Sequence, residues 1–481
     1  MKLKELLKNI DCQVVGEAEI EITGIAYDSR EVQEGNLFFC IQGFSSDGHN
    51  YAPKAVEAGA VCLVVSRQLE LDVTQIIVEA GSDRKAMSQI AAAYYGKPAQ
   101  KLCMIGVTGT SGKTSTTYML KSILEKAGRK VGLIGTVHTV IGEKEIPAER
   151  TTPESPDLQK ILAEMVEAGL DTVVMEVSSH SLYLDRVYGI EFAGGIFTNL
   201  SQDHLDFHKD FEHYFLAKAL LFENCQRAAV NADDPYGRRL PVYAKGEVST
   251  FGLNPQADIC AEEICLHTDH STFVLRAGDE SIPICLGMPG EFMIYNALGA
   301  FTLCSMLGIE PEVIKEGLES VYYIPGRVEN LDTRGGDFSI VLDYCHKPEA
   351  LESVLKMIKG YAKGRVVCIF GCGGNRDTTK RPIMGNIAEN IADFCIVTSD
   401  NPRFEDPYAI IEGITAGMKK DNHIVVEDRR AAIRYAIEHV QPGDVILLAG
   451  KGHEDYQEIK GVHYPFDEKV VVGEILDELG R

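Results

Sequence analysis

The chain has 481 residues, 45% hydrophobic and 25% charged, with a formal net charge of −24, a size and composition that predict about three ordinary globular domains. The acidic balance excludes a broad nucleic-acid or anionic-membrane surface, so any anionic ligand must be held by local positive groups. There is no apolar run of the roughly 18 residues a membrane span needs, the start is a short amphipathic helix rather than a secretory signal, and the 13 scattered cysteines, with no C-x-x-C pair, read as reduced, buried thiols of a cytoplasmic protein.

Residues 1–98 predict a small α/β domain. A helix is expected over 3–7, strands over 22–26, 36–41, 62–65 and 75–78, and helices over 52–58 and 84–95. Two polar turns punctuate it, Asp28-Ser29-Arg30 and residues 43–50, both ordinary as turn chemistry. Residues 96–99 read as a linker.

Residues 99–325 predict a nucleotide-binding domain. Residues 104–124 run from an apolar strand through a Gly/Ser/Thr turn into an amphipathic helix, the order a phosphate-binding loop requires. The turn is Gly109, Thr110, Ser111, Gly112, Lys113, Thr114 and Ser115. Glycines let backbone N–H groups at a helix start approach phosphate oxygens. Lys113 adds a full charge, and Thr114 offers a hydroxyl to magnesium, which favours oxygen ligands. The general pattern expects glycine five residues before Gly112, where this chain has Val107, so the loop is a variant. The helix should end near Gly128. A strand over 130–135, a loop at 149–154 and a helix over 157–168 follow. The strand over 172–177 is apolar except for Glu176, whose carboxylate either meets a cation or caps a neighbouring helix. Past a strand at 195–198 lies Asp203-His204-Leu205-Asp206-Phe207-His208. That cluster admits a transition metal, but hard-cation support with one imidazole fits better beside a phosphate loop. Lys218 lies on an apolar helix over 211–224, so its amine points to something that stabilises it. Residues 240–290 read as a β-rich subdomain, followed by a helix over 295–307.

Residues 326–481 alternate again, with strands over 339–342, 365–370, 394–399, 423–426 and 445–449. Polar stretches end four of them: Asp343-Tyr344-Cys345-His346, residues 371–377, Asp400-Asn401-Pro402-Arg403, and Gly450-Lys451-Gly452-His453-Glu454. This predicts a doubly wound, Rossmann-like sheet with its binding edge toward a ligand.

Seven motifs occur in order: G-T-S-G-K-T, E-V-S-S-H, N-L-S-Q-D-H-L-D-F-H with a later A-K, P-G-R-V-E, G-C-G-G-N-R-D, S-D-N-P-R and A-G-K-G-H-E. Together they resemble the Mur ligase family over the whole chain, and within it the branch that adds meso-diaminopimelate. The resemblance implies an α/β protein of three domains: a UDP-substrate domain at 1–98, a P-loop ATPase domain at 99–325 and an amino-acid-binding domain at 326–481. It implies that residues 109–115, with Asn296, Arg327 and Asp343, hold ATP. Thr114, Glu176, His204 and an N-carbamylated Lys218 would surround magnesium, with Lys113, Lys218 and His204 as the catalytic groups. Ser29 would touch the uridine diphosphate, and Thr151, Thr152, Ser178 and Arg186 the sugar-peptide. Arg376, Asp400, Asn401, Pro402, Arg403, Gly450 and Glu454 would hold the diamino acid, with the planar fork of Arg403 suited to its far carboxylate.

The implied partners are ATP, Mg²⁺, a UDP-N-acetylmuramoyl dipeptide and meso-diaminopimelate, with no nucleic acid, no membrane insertion and a monomeric state. The implied chemistry is amide formation through an acyl phosphate, with Pro325-Gly326 as a hinge for closure over the site. Leu184, Met293, Cys345 and Lys347 depart from the family's usual residues. The rivals are the same reaction with L-lysine or another diamino acid, a folylpolyglutamate synthase-like ligase, and a P-loop switch or silent nucleotide-binding relative.

Overall fold

The computed structural model describes residues 1–44 and 46–481; Ser45, in the second polar turn, lies outside the described residues. Three sheets succeed one another along the chain, joined and covered by helices. The first has the order Gln13–Val15, Thr74–Ile77, Cys62–Val65, Asn36–Phe39, Gly24–Ala26, and only its first pair is antiparallel. Asn36–Phe39 and Cys62–Val65 are buried at every residue, as strands covered on both faces must be.

The second sheet has 11 strands. Its parallel middle runs Val131–Ile134, Thr172–Glu176, Cys103–Thr108, Gly194–Phe197, Arg227–Asn231, Glu247–Gly252, Ile259–Leu266. Antiparallel strands close both edges: His138–Ile141 and Lys144–Pro147 on one side, Ser271–Ala277 and Glu280–Leu286 on the other. The β-rich stretch is therefore no separate subdomain but continues this sheet. The reason is a shared core, in which Phe251, Phe273 and Ile284 pack with Ile105, Val107 and Leu120 around the helix Glu291–Met306. The helix carrying Lys218 is shorter than expected. It ends at Ala219, where the chain tightens to i→i+3 bonds and resumes as the single turn Phe222–Asn224.

The third sheet has the order Glu329–Leu331, Ser339–Asp343, Val445–Ala449, Val366–Phe370, Phe394–Val397, His423–Val425, parallel after its first pair. Its register sets Asp343 beside Ala449 and Phe370 beside Val397, so all four polar stretches emerge at one edge. A hairpin of Tyr456–Ile459 and Val462–Pro465 had no counterpart in the expected elements. Its two-residue turn, Lys460-Gly461, has φ of 49° and 77°, the positive pair that matches hairpin twist. No described helix is long and apolar enough to cross a membrane. Nine of the cysteines are buried, whereas Cys265 and Cys285 are exposed on the antiparallel edge of the second sheet.

Candidate active site

The phosphate loop leaves the strand Cys103–Thr108 and enters the helix Lys113–Lys126. Gly109 has φ 149°, and a Cβ there would fall 1.8 Å from Thr198 Oγ1; Gly112 has φ 87°, and its Cβ would fall 2.3 Å from Asn296 Oδ1. Only glycine satisfies both demands. Val107 is still strand, paired with Glu176 and Ile196, and its carbonyl accepts Val177 N at 2.8 Å. The turn begins after it, which explains the displaced glycine.

Glu176 is 1% exposed and caps no helix. Its Oε1 accepts from Thr114 Oγ1 at 2.9 Å and Thr136 N at 2.8 Å, and its Oε2 from Thr136 Oγ1 at 3.0 Å. Thr136 was not foreseen; it follows the strand Val131–Ile134, where no motif marks it. A hydroxyl and a carboxylate at the loop are hard oxygen donors that fit Mg²⁺, which takes its remaining ligands from water and substrate phosphates. Among the described residues no three His, Cys, Asp or Glu side chains converge as a metal cage. The polar side chains of 203–208 turn to different partners. His204 Nε2 lies 3.0 Å from Asp203 Oδ2, while His208 Nε2 turns to Ser179 Oγ at 2.9 Å, and Asp206 is exposed.

Three amines, two of them buried and that of Lys113 half-buried, converge on two loop carbonyls. Lys113 Nζ donates to Gly109 O at 3.0 Å and Thr110 O at 3.2 Å, Lys218 Nζ to Gly109 O at 2.8 Å, and Lys347 Nζ to Thr110 O at 2.8 Å. Lys347 also meets Asp203 Oδ2 at 2.8 Å. Burial, then the neighbouring Lys347 charge, draws the Lys113 amine down to about 8. Burial, then Lys113 and Lys347, draws Lys218 well below the usual lysine range. Burial would raise Asp203, but the adjacent Lys347 charge holds it well below the usual carboxylate range. His204 itself is shifted far down, chiefly by burial.

A cavity of about 810 Å³ spans the second and third sheets and is lined by Lys113, Glu176, His204, Asn296, Arg327 and Lys347 among others. It is of a size that accepts a nucleotide. Arg327 donates to Thr114 Oγ1 at 3.1 Å and stacks over the Tyr344 ring at 4.8 Å. Asp343 Oδ2 accepts Val328 N at 2.8 Å. Gly326 has φ 65°, with no room for a Cβ against His453 N.

On the other side of Glu176, Thr152 Oγ1 donates to its carbonyl at 2.9 Å and accepts from Ser178 N at 3.2 Å. Thr151 Oγ1 lies 3.1 Å from Thr136 Oγ1, and Arg186 reaches Thr152 O at 3.0 Å and Glu154 at 2.7 Å. Thr151, Thr152, Ser178 and Arg186 therefore form one polar group. Ser29 is not joined to it by a hydrogen bond among the described residues. Its unit meets the second sheet's helices through Tyr27 OH to Asp157 Oδ2 and Ser88 Oγ to Asp185 O, both 2.6 Å.

The edge of the third sheet gathers a second polar cluster. Asn401 Nδ2 donates to Glu454 Oε2 at 2.8 Å, Tyr344 OH to Glu454 Oε1 at 3.1 Å, and Lys451 Nζ to Asn401 Oδ1 at 3.1 Å. Arg403, at φ 54°, donates through Nε to Glu458 Oε2 at 2.8 Å and through Nη1 to Gly374 O at 2.9 Å. Asp400 Oδ2 is buried without a hydrogen-bond partner among the described residues. It approaches Gly450, where a Cβ would lie 2.8 Å from it and φ is 116°. Arg376 is exposed and borders Gly373, as does Arg403. Lys451 and Glu458 were missed as site residues.

Arg429 underlies this edge. It pairs with Glu468 at 2.8 Å, both side chains at 0% exposure, and donates to Ala449 O at 2.9 Å. Arg429→Met strands a buried carboxylate, so we expect a loss of about 3–5 kcal/mol, read by calorimetry as a downward shift of the transition of the C-terminal unit. No shift would mean that the pair is dispensable.

Comparison with known proteins agrees along the whole chain. Residues 21–95 match the Mur ligase family catalytic domain, 107–304 the Mur ligase middle domain and 326–452 the Mur ligase glutamate ligase domain. The chain is 47% identical to the UDP-N-acetylmuramoyl-L-alanyl-D-glutamate–2,6-diaminopimelate ligase of Clostridium botulinum, with 100% of each covered. It is 48% identical, with the same coverage, to ligase 1 of that name from Clostridium acetobutylicum. A solved structure of a ligase of that name superposes with a TM-score of 0.70 at 28% identity, covering 100% of this chain and 99% of the other.

Proposed function

The chain belongs to the Mur ligase family, and on that premise we propose that it joins meso-diaminopimelate to the D-glutamyl γ-carboxylate of UDP-N-acetylmuramoyl-L-alanyl-D-glutamate. It is an ATP-dependent amide ligase of peptidoglycan precursor synthesis. The observation that carries the substrate reading is Tyr344, which lines the nucleotide cavity and also bonds Glu454 of the second polar cluster. One residue thus borders both the site of carboxylate activation and the site of the attacking amine.

The γ-carboxylate, held beside Thr152, Ser178 and Arg186, attacks the γ-phosphorus of ATP, and ADP leaves. Lys113 neutralises charge that grows on the phosphoryl oxygens. Thr114 and Glu176 are the residues that would hold Mg²⁺, which when bound adds further neutralisation of the phosphates. The amine of the diamino acid, oriented through Asn401, Arg403 and Glu454, attacks the acyl phosphate; the amide bond forms, phosphate leaves and the amine loses a proton. Lys218 serves as an N-carbamate. Ser29 contacts the uridine diphosphate. In this reading the domains are 1–98, 99–325 and 326–481, the protein is a monomer, and it works in the cytoplasm, where ATP and UDP-linked precursors are at hand.

Phosphate release tests this reading. With ATP, the dipeptide precursor and meso-diaminopimelate together, we expect rapid release; leaving out either acceptor or precursor should abolish it. Steady release with ATP alone would favour a nucleotide switch. Equal turnover of lysine, ornithine and meso-diaminopimelate would overturn the choice of amino acid.

A further inference from the structure

Lys347 follows the strand Ser339–Asp343 and precedes the helix Pro348–Tyr361, so the C-terminal unit supplies it. Its amine nevertheless ends inside the central unit, at Thr110 O and Asp203 Oδ2, both 2.8 Å away, with the side chain 9% exposed. The preceding carbonyl, His346 O, accepts from Lys380 Nζ at 2.9 Å, which fixes the backbone from which Lys347 reaches out.

An ammonium has three N–H donors. Among the described residues only Thr110 O accepts one of them with hydrogen-bond geometry, Asp203 Oδ2 being an ion-pair contact, so donors are left over on the cavity that Lys347 lines. Moreover, Lys113 and Lys347 share the carbonyl of Thr110. A buried and a half-buried cation on one neutral acceptor repel each other. A phosphoryl group, with several charged oxygens, would relieve both at once.

We propose that Lys347 is a phosphate-contacting residue that the C-terminal unit inserts beside Lys113, so that transfer of the γ-phosphoryl group requires that unit to be seated. The Asp203 charge holds the ammonium in place while its free donors meet the γ-phosphate. This reading deepens the ligase assignment and rests on it for the timing of transfer, but the contact with a triphosphate can be tested alone. It also explains the lysine in D-Y-C-H-K-P-E: it acts as an added cation rather than as a neutral spacer.

The test uses the full chain and two titrants, Mg–β,γ-imido-ATP and Mg–ADP, followed by calorimetry for the native protein, Lys347→Met and Lys347→Arg. Loss of one charge-assisted bond should weaken the imido-ATP by about tenfold or more, with ADP affinity within about twofold of native. Lys347→Arg should recover most of the difference. In the complete ligase assay Lys347→Met should lower kcat about tenfold or more with KM for the diamino acid unchanged. Equal weakening of both nucleotides would make Lys347 a structural tether and overturn the proposal, as would no weakening of either. If no diamino acid supports phosphate release by the native protein, the ligase assignment fails while the two titrations still decide Lys347.

Discussion

Lys218→Ala is expected to be nearly inactive, with kcat down about a thousandfold or more, and to regain part of its activity when formate or acetate is added. The argument begins with burial. Lys218 is 1% exposed, its one hydrogen-bond acceptor among the described residues is Gly109 O at 2.8 Å, and its amine lies 4.5 Å above the Tyr214 ring. A buried ammonium without a carboxylate costs several kcal/mol. Burial and the Lys113 and Lys347 charges therefore shift Lys218 well down, toward the free amine. A free amine adds to carbon dioxide, with a C–N bond formed and one proton released, and the product is an N-carbamate. That group is an anion, and it would lie among the cations that disfavour the ammonium. The same environment is thus hostile to one form of the side chain and favourable to the other. A short carboxylate can enter the space that alanine leaves and restore the anion without the tether. Lys218→Arg, which cannot form the carbamate, should be neither active nor rescued. Native activity in the alanine variant would end the carbamate assignment.

The parts of this site that the sequence disclosed are those written in contiguous residues. The phosphate loop, the acidic strand end at Glu176 and the D-N-P-R turn each need one element and its exit, and each was legible. The expected subdomain at 240–290 failed because composition reveals strands but not what they pair with; packing of Phe251, Phe273 and Ile284 on the helix Glu291–Met306 decided that. The 203–208 cluster looked like one site because its residues are adjacent. In the fold His204 turns to Asp203 while His208 turns to Ser179. Thr136 and Glu458 escaped for the converse reason. Each acts on a residue far along the chain, Glu176 in one case and Arg403 in the other. Lys347 stood out as an unusual residue, yet only the third dimension revealed that it crosses to Thr110.

Arg403→Ala is expected to raise KM for meso-diaminopimelate by about 10- to 100-fold, since a hydrogen bond between charged groups is worth about 1.5–3 kcal/mol. The geometry indicates which part of the guanidinium is available. Glu458 takes Nε and Gly374 O takes Nη1, which leaves Nη2 without a protein acceptor among the described residues. Glu458 aims the fork, and the left-handed backbone at Arg403 is held on the other side by Arg403 N to Glu458 O at 3.0 Å. Meso-diaminopimelate and lysine differ at the end this fork would hold: one bears a carboxylate there and the other does not. The variant should therefore lose meso-diaminopimelate selectively, with KM for ATP and for the nucleotide precursor unchanged and lysine turnover no lower than native. Arg403→Lys retains charge but not the planar fork and should fall between native and alanine. Glu458→Gln retains a hydrogen-bond acceptor but loses the ion pair and should raise the same KM by a smaller factor. An unchanged KM in Arg403→Ala would remove this residue from the amino-acid site, and an equal loss for lysine would show that Arg403 supports the fold of the edge rather than the choice of substrate.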